Sequence, residues 1–235
     1  MSGEQRAREL EDNLAAVRVR IAAAEAAAGR AAGEVGLVVV TKFFPASDVR
    51  LLAELGVREV GENRHQEAQG KAAECADLAI AWHFIGGLQT NKAAAVARYA
   101  DVVESVDRPE LLARLDRGAT ERGRPVEVLL QVSLDAADAA HRSGAAPEVL
   151  ADLAEQTTTY DGLRLRGLMA VAPLGADPEE AFARLAEIRA DFLLDHPEAT
   201  RLSAGMSGDL EQAIRHGATH VRVGSAVLGS RPAVK

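Results

Sequence analysis

The sequence predicts an α/β protein built as a (β/α)8 barrel, the TIM-barrel class, preceded by one extra helix. Short runs rich in valine, leucine and isoleucine alternate with helical stretches eight times. About 200 residues hold those eight pairs, a length that suits such a barrel. A doubly wound open sheet is the rival, and it usually has fewer strands at this length. No linker, sequence repeat or low-complexity block interrupts the alternation, so 1–235 is read as a single domain with 1–30 as its leading helix.

From Glu4 to Gly29, the apolar residues Leu10, Leu14, Val17 and Ile21 recur at helical spacing and form one stripe, with Gly29 suited to the C-terminal end. "LVVVT" reads as the first strand and "SDVRLLAELG" as its helix, with Ser47 the expected N-cap. "REVGE" is followed by helical "RHQEAQGKAAECA", and "IAWHFIG" by "QTNKAAAVARYA". "DVVESV" precedes "RPELLARLDRGATER", where Pro109 stands near the helix start and its missing N–H costs little. "VEVLLQVSL" leads into "APEVLADLAEQT", and "LRLRGLMAV" into the long "DPEEAFARLAEIRADFLL". "TRLSAGMS" with "GDLEQAIRHG", then "THVRVG" with the short turn "SAVLGS", complete the eight.

Hydrophobic residues make up 48% of the chain and aromatics 3%, so the core must be built from Ala, Val, Leu and Ile. A net charge of −8 argues against a nucleic-acid binder or a protein that coats anionic membranes. Cys75 is the only cysteine, which leaves no intramolecular disulfide and no multi-cysteine metal site. The polar start "MSGEQRAREL" has no signal-peptide core, and no apolar segment approaches the ~20 residues needed to span a bilayer. The expected setting is cytoplasmic.

In barrels of this class reactive groups collect at the C-terminal ends of the strands, and phosphate often binds after strands seven and eight. Those positions hold Lys42, one of only four lysines, together with "GEN" at Gly61 to Asn63, "GMS" at Gly205 to Ser207 and "RVGS" at Arg222 to Ser225. The last two are glycine-rich turns that carry serine and enter helices. Backbone N–H groups and hydroxyls there would form a phosphate cup. Lys42 ends the apolar run "VVVTKFFP" on the strand beside strand eight. It is either a solvated strand terminus or an amine held for carbonyl chemistry, which needs a partly desolvated site. An aldehyde-bearing phosphate ester held by the cup would meet that amine and form a Schiff base, and pyridoxal phosphate fits the description. Arg222 shares the parity of Gly224 and is expected to face the barrel axis. Its acceptor is a pyridine nitrogen, a phosphate or an internal carboxylate such as Glu62. Opposite a ring nitrogen it would leave the ring neutral, because guanidinium keeps its proton.

Other features read as structural. "GGLQTNKA" lacks the Gly-Lys-Ser/Thr ending of a P-loop. His83 alternates with Trp82 and Phe84 and is expected to be a hydrogen-bonded strand histidine. His216 and His220 straddle Gly217, which disfavours a metal pair, and no metal site is expected. Cys75 reads as packing.

With those residues in view, the chain resembles the pyridoxal phosphate homeostasis proteins, the YggS or PROSC type, over nearly its whole length. The resemblance rests on "NLAAVRVRI", "VVVTKFFP", "VGENRHQE", "WHFIGGLQTNK", "LRLRGLMAV" and "LSAGMSGDLEQAIRHGATHVRVGSAVLG". It implies a fold similar to the barrel domain of alanine racemase and a bound pyridoxal 5′-phosphate. Lys42 then matches the lysine of the internal aldimine, and Asn63 a residue of the pocket wall. Ser207, Gly224 and Ser225 fall in the phosphate loops, Met206 contributes through its backbone, Arg222 faces the cofactor and Ser203 is a further pocket member. Phe43 and Phe44 stand where many members have smaller or polar residues, Ala204 replaces a frequent methionine, and "HRSG" at His141 to Gly144 is a variant loop.

The function implied is a non-catalytic carrier that buffers pyridoxal phosphate and releases it to apo-enzymes, as a monomer or weak homodimer. The alternative is a racemase or decarboxylase using the same lysine. Racemases of this fold add a second domain that brings a tyrosine base, whereas Tyr99 and Tyr160 are placed here in or after exterior helices. A class I aldolase-like barrel, with Lys42 attacking its substrate directly, is the third reading.

Overall fold

The computed structural model describes residues 3–135 and 144–230. Eight parallel strands close into a barrel in chain order: β1 (Gly36–Val40), β2 (Glu59–Glu62), β3 (Ala81–Phe84), β4 (Val102–Val106), β5 (Val126–Val132), β6 (Leu163–Ala170), β7 (Arg201–Ser203) and β8 (His220–Val223). Val38 pairs with Arg222 and Val39 with Val223, which brings the last strand back to the first. The expected barrel is therefore the observed one. Its helices are α1 (Gly3–Ala27), α2 (Ala46–Glu54), α3 (His65–Glu74), α4 (Ala93–Ala97), α5 (Leu112–Arg122), α6 (Leu150–Thr158), α7 (Pro178–Asp195), α8 (Leu210–Arg215) and α9 (Ser225–Leu228).

Alternation along the strands separates two environments. Trp82 and Phe84, Leu168 and Ala170, and Val221 and Val223 are buried against the helices, in two apolar clusters that wrap the barrel. Residues of opposite parity meet inside, where Val102, Leu129 and Met169 form a small apolar plug. The interior also holds Val38 and Val40 from β1 and the polar residues His83, Glu104, Ser203 and Arg222, all buried. Gly167, at φ 148, lies where a Cβ would come within 1.9 Å of the Arg201 carbonyl oxygen, so a side chain is incompatible with the approach of β6 to β7.

Three local expectations are corrected. Ser47 does not cap α2; Pro45 holds the N-cap position with no side-chain hydrogen bond, and α2 begins at Ala46. The run read as one helix from Gln89 is a 3-10 turn at Thr90–Lys92 followed by the short α4. The seventh strand is only Arg201–Ser203, because Gly205 turns the chain at φ 91. Pro109 opens a 3-10 turn before α5, and Asp177 caps α7 by accepting from the Glu179 N–H at 2.9 Å.

α1 braces the turns that follow β7 and β8. Its buried stripe, Leu10, Leu14, Val17 and Ile21, is the one expected. Arg20 donates to the Ser207 carbonyl at 3.0 Å and pairs with Glu211 at 2.8 Å, and Asn13 donates to the Val227 carbonyl at 3.0 Å. Arg6 binds Asp48 at 2.6 Å and the Leu228 carbonyl at 3.1 Å. Among the described residues, no helix is long and apolar enough to cross a membrane.

Candidate functional site

A cleft of about 260 Å³ opens at the C-terminal ends of β1, β7 and β8. That is just below the ~300–1,000 Å³ common for small-molecule sites. Its lining brings together Lys42, Met206, Ser207, Gly208, Arg222, Gly224 and Ser225, with Val40, Phe43, Phe44, Ile85 and Gly229 as further wall. Residues far apart in the chain converge because β1 and β8 are neighbours and the turn after β7 lies alongside.

The two glycine-serine turns face one another. The Ser225 hydroxyl donates to the Ser207 hydroxyl at 3.4 Å, which marks how closely the turns approach. A Cβ on Gly224 would stand 3.2 Å from the Val40 carbonyl oxygen, so this turn is pressed against β1; a Cβ on Gly208 would meet nothing within 4 Å. In α9 the Val227 and Leu228 N–H groups donate to the Gly224 carbonyl at 3.0 and 2.9 Å, so only those of Ser225 and Ala226 precede the first helical bond. Two hydroxyls, open backbone N–H groups and a nearby amine make a donor set suited to a phosphate ester that carries an aldehyde. The Met206 N–H is not part of that set, since it donates to Asp209 Oδ1 at 2.6 Å. Met206 lines the cleft with other atoms.

Arg222 forms the floor. Its Nη1 donates to Ser203 Oγ at 2.7 Å and its Nη2 to the Ala170 carbonyl at 2.8 Å, which uses two of its five N–H donors. The internal carboxylate beside it is Glu104, at 3.7 Å, and not Glu62. Glu104 also accepts from the Ser203 hydroxyl at 2.6 Å and lies 2.6 Å from His83 Nδ1. Burial alone would push this carboxyl up. The His83 hydrogen bond and charge, the Arg222 charge and the Ser203 hydroxyl outweigh it and hold the group at about 2. Burial also lowers Arg222, against the opposing pull of Glu104 and Asp209.

Ser203 thus lies beneath the cleft, between Arg222 and Glu104, and does not line it. Asn63 follows β2 with its backbone packed on Gly86 and is also outside the lining. His83 is the hydrogen-bonded strand histidine expected. His216 pairs with Glu179 at 2.8 Å and His220 Nδ1 lies 2.8 Å from the Thr219 hydroxyl, so each has its own partner. Cys75 is buried at the end of α3. His141 to Ser143 of the variant loop lie outside the described residues, and Gly144 donates its N–H to Asp107 at 3.3 Å. Tyr99 stacks on His65 at 5.9 Å, and burial first, then the Glu62 charge, raises its hydroxyl. Tyr160 packs on the outer core; neither tyrosine lines the cleft.

Sequence reading misses the group behind the cleft. Lys71 is buried and donates to Glu62 and Glu67, each at 2.7 Å. The i,i+4 spacing of Glu67 and Lys71 is its one visible sign, and it resembles any exposed helix pair.

Residues 12–232 match the profile of the family described as alanine racemase, N-terminal domain. A pyridoxal phosphate homeostasis protein of Mycobacterium tuberculosis is 45% identical, with 95% of this chain and 93% of that protein covered. The structure of PipY from Synechococcus elongatus with PLP bound is similar at TM-score 0.80 and 35% identity, over 94% of this chain and all of that one. Alanine racemase of Clostridium difficile shares the fold at TM-score 0.71 and 14% identity; the match covers 97% of this chain and 60% of the racemase.

Proposed function

The chain belongs to the pyridoxal phosphate homeostasis protein family, and from that membership we propose that it binds pyridoxal 5′-phosphate at Lys42 and carries it without turning over a substrate. The observation that supports this most is the convergence of Lys42, Ser207, Gly224 and Ser225 on one cleft floored by Arg222. Pyridoxal phosphate, when bound, supplies an aldehyde that condenses with amines and a ring that withdraws electrons.

Each residue then has a task. Lys42 provides the amine for a covalent link. Ser207, Ser225 and the N–H groups around Gly224 and at the start of α9 hold the phosphate. Arg222, fixed by Ser203, Glu104 and the Ala170 carbonyl, would be the cation at the base of the bound group, and it keeps its own proton. Because guanidinium gives up no proton, Arg222 would not protonate a ring nitrogen there, which suits storage better than carbanion chemistry. Phe43, Phe44 and Ile85 add apolar wall to the same cleft. A racemase would also need a second acid–base group across the cleft, and such groups contribute about 10²–10⁴-fold each. Neither tyrosine is placed to serve.

Residues 1–235 act in this reading as one binding unit in the cytoplasm, a monomer or weak homodimer that supplies apo-enzymes. The test is the absorbance spectrum of the purified protein before and after borohydride, followed by mapping of the labelled peptide. Label on Lys42 supports the reading, and label elsewhere or none overturns it. Turnover of alanine enantiomers under saturating cofactor would replace the carrier with the racemase reading.

A further inference from the structure

The two peptide units that flank Lys42 hang on one ion cluster behind the cleft. Lys71 Nζ donates to the Thr41 carbonyl, to Glu62 Oε1 and to Glu67 Oε1, each at 2.7 Å. Its three protons therefore have three acceptors. Glu67 Oε1 also accepts the Phe43 N–H at 2.5 Å, and the Thr41 hydroxyl donates to Glu62 Oε1 at 2.6 Å. The residue before Lys42 and the residue after it thus share a single ammonium–carboxylate node.

The node holds an unfavourable backbone. Phe43 has φ 72 and is the one non-glycine residue at positive φ among those described. A side chain with a Cβ resists that left-handed conformation unless its surroundings fix it. Glu67 fixes it through the N–H, and Arg64 lies over the ring at 4.9 Å. None of Glu62, Glu67 and Lys71 lines the cleft. Burial pushes the Glu62 carboxyl up against the pull of Lys71 and Thr41, so the cluster is costly to desolvate for packing alone.

We propose that Lys71 and Glu67 are positioning residues, which set the backbone at Thr41 and Phe43 so that the Lys42 side chain leaves the strand toward the phosphate turns. The inference rests on the reading of Lys42 as the cofactor lysine. Lysine is flexible, so the backbone direction at its Cα decides how often the amine reaches a ligand seated on Ser207 and Ser225.

Two ligands separate positioning from mere structural support. Pyridoxal 5′-phosphate has the aldehyde that Lys42 bonds; pyridoxine 5′-phosphate carries the same phosphate and lacks the aldehyde. Lys71→Met should weaken binding of the first about tenfold and slow formation of its borohydride-trappable link, while the second changes by less than about twofold. Glu67→Ala should show the same selectivity, and Glu67→Gln, which keeps an acceptor for the Phe43 N–H, should recover most of the loss. Should Lys71→Met fail to fold, the two Glu67 variants decide by the same ratio. Equal losses for both ligands, or no loss for either, overturn the positioning role alone. Absence of a trapped label on Lys42 in the unmutated protein overturns the cofactor reading and this inference with it.

Discussion

Arg222 and Glu104 stand 3.7 Å apart inside the barrel, with the Ser203 hydroxyl bonded to both. The cation that floors the cleft therefore has its countercharge supplied by the protein. Removing that countercharge leaves Arg222 buried without its nearest carboxylate. We expect Glu104→Ala to lower unfolding stability by about 3–5 kcal/mol, the usual cost of breaking a buried pair. Denaturant unfolding with pyridoxal phosphate absent measures it, and a change near zero would refute it.

The same carboxyl sets an acid limit. Its folded value of about 2 lies below the ordinary 4.5, so the unfolded chain binds the proton more readily. The stabilising contribution is complete above about pH 4.5 and disappears as pH falls through about 2. Stability measured across that window should decline, and Glu104→Gln should flatten the decline.

Lys42→Ala should abolish the covalent link and leave the fold intact, since the residue follows the strand and is only half-buried. The purified variant should lack borohydride-sensitive absorbance and keep its circular dichroism and melting behaviour in the absence of ligand. An unfolded variant would contradict this placement.

Ser207→Ala and Ser225→Ala each remove one hydroxyl from the paired turns. A hydrogen bond to a charged group is worth about 1.5–3 kcal/mol, so each change should weaken pyridoxal phosphate about tenfold or more. Pyridoxine 5′-phosphate should lose as much, because on the proposed reading the hydroxyls address the shared phosphate. Calorimetric titration with both ligands checks the equality.

Gly86→Ala should destabilise the protein by about 1–3 kcal/mol, as overpacking does. Its Cβ would fall 2.2 Å from the Asn63 carbonyl oxygen, so the segments after β2 and β3 would have to separate. Thermal unfolding reads the effect.

Lys42 and the two glycine-serine turns are legible in the sequence because strand order alone puts them at one end of a barrel. The parity of Arg222 and Gly224 likewise follows from alternation. Partners across the interior are less visible: Glu104 sits in "VVESV", and only the closed geometry shows that it faces Arg222 from β4. The Lys71 cluster escapes for another reason. Two of its contacts are the Thr41 carbonyl and the Phe43 N–H, and backbone atoms leave no trace in residue identity. Met206 shows the same limit, since its N–H is taken by Asp209 three residues on.

Lys42 stands two residues past the end of β1 and Ser225 two past the end of β8, the pair whose bonding shuts the barrel. A cargo joined to one and seated on the other is a staple across that seam. At a hundredfold excess over its dissociation constant such a staple adds about 2.7 kcal/mol to the folded state. On the proposed reading, release of that cargo would remove this stabilisation from the folded state, and resistance to proteolysis would fall with it.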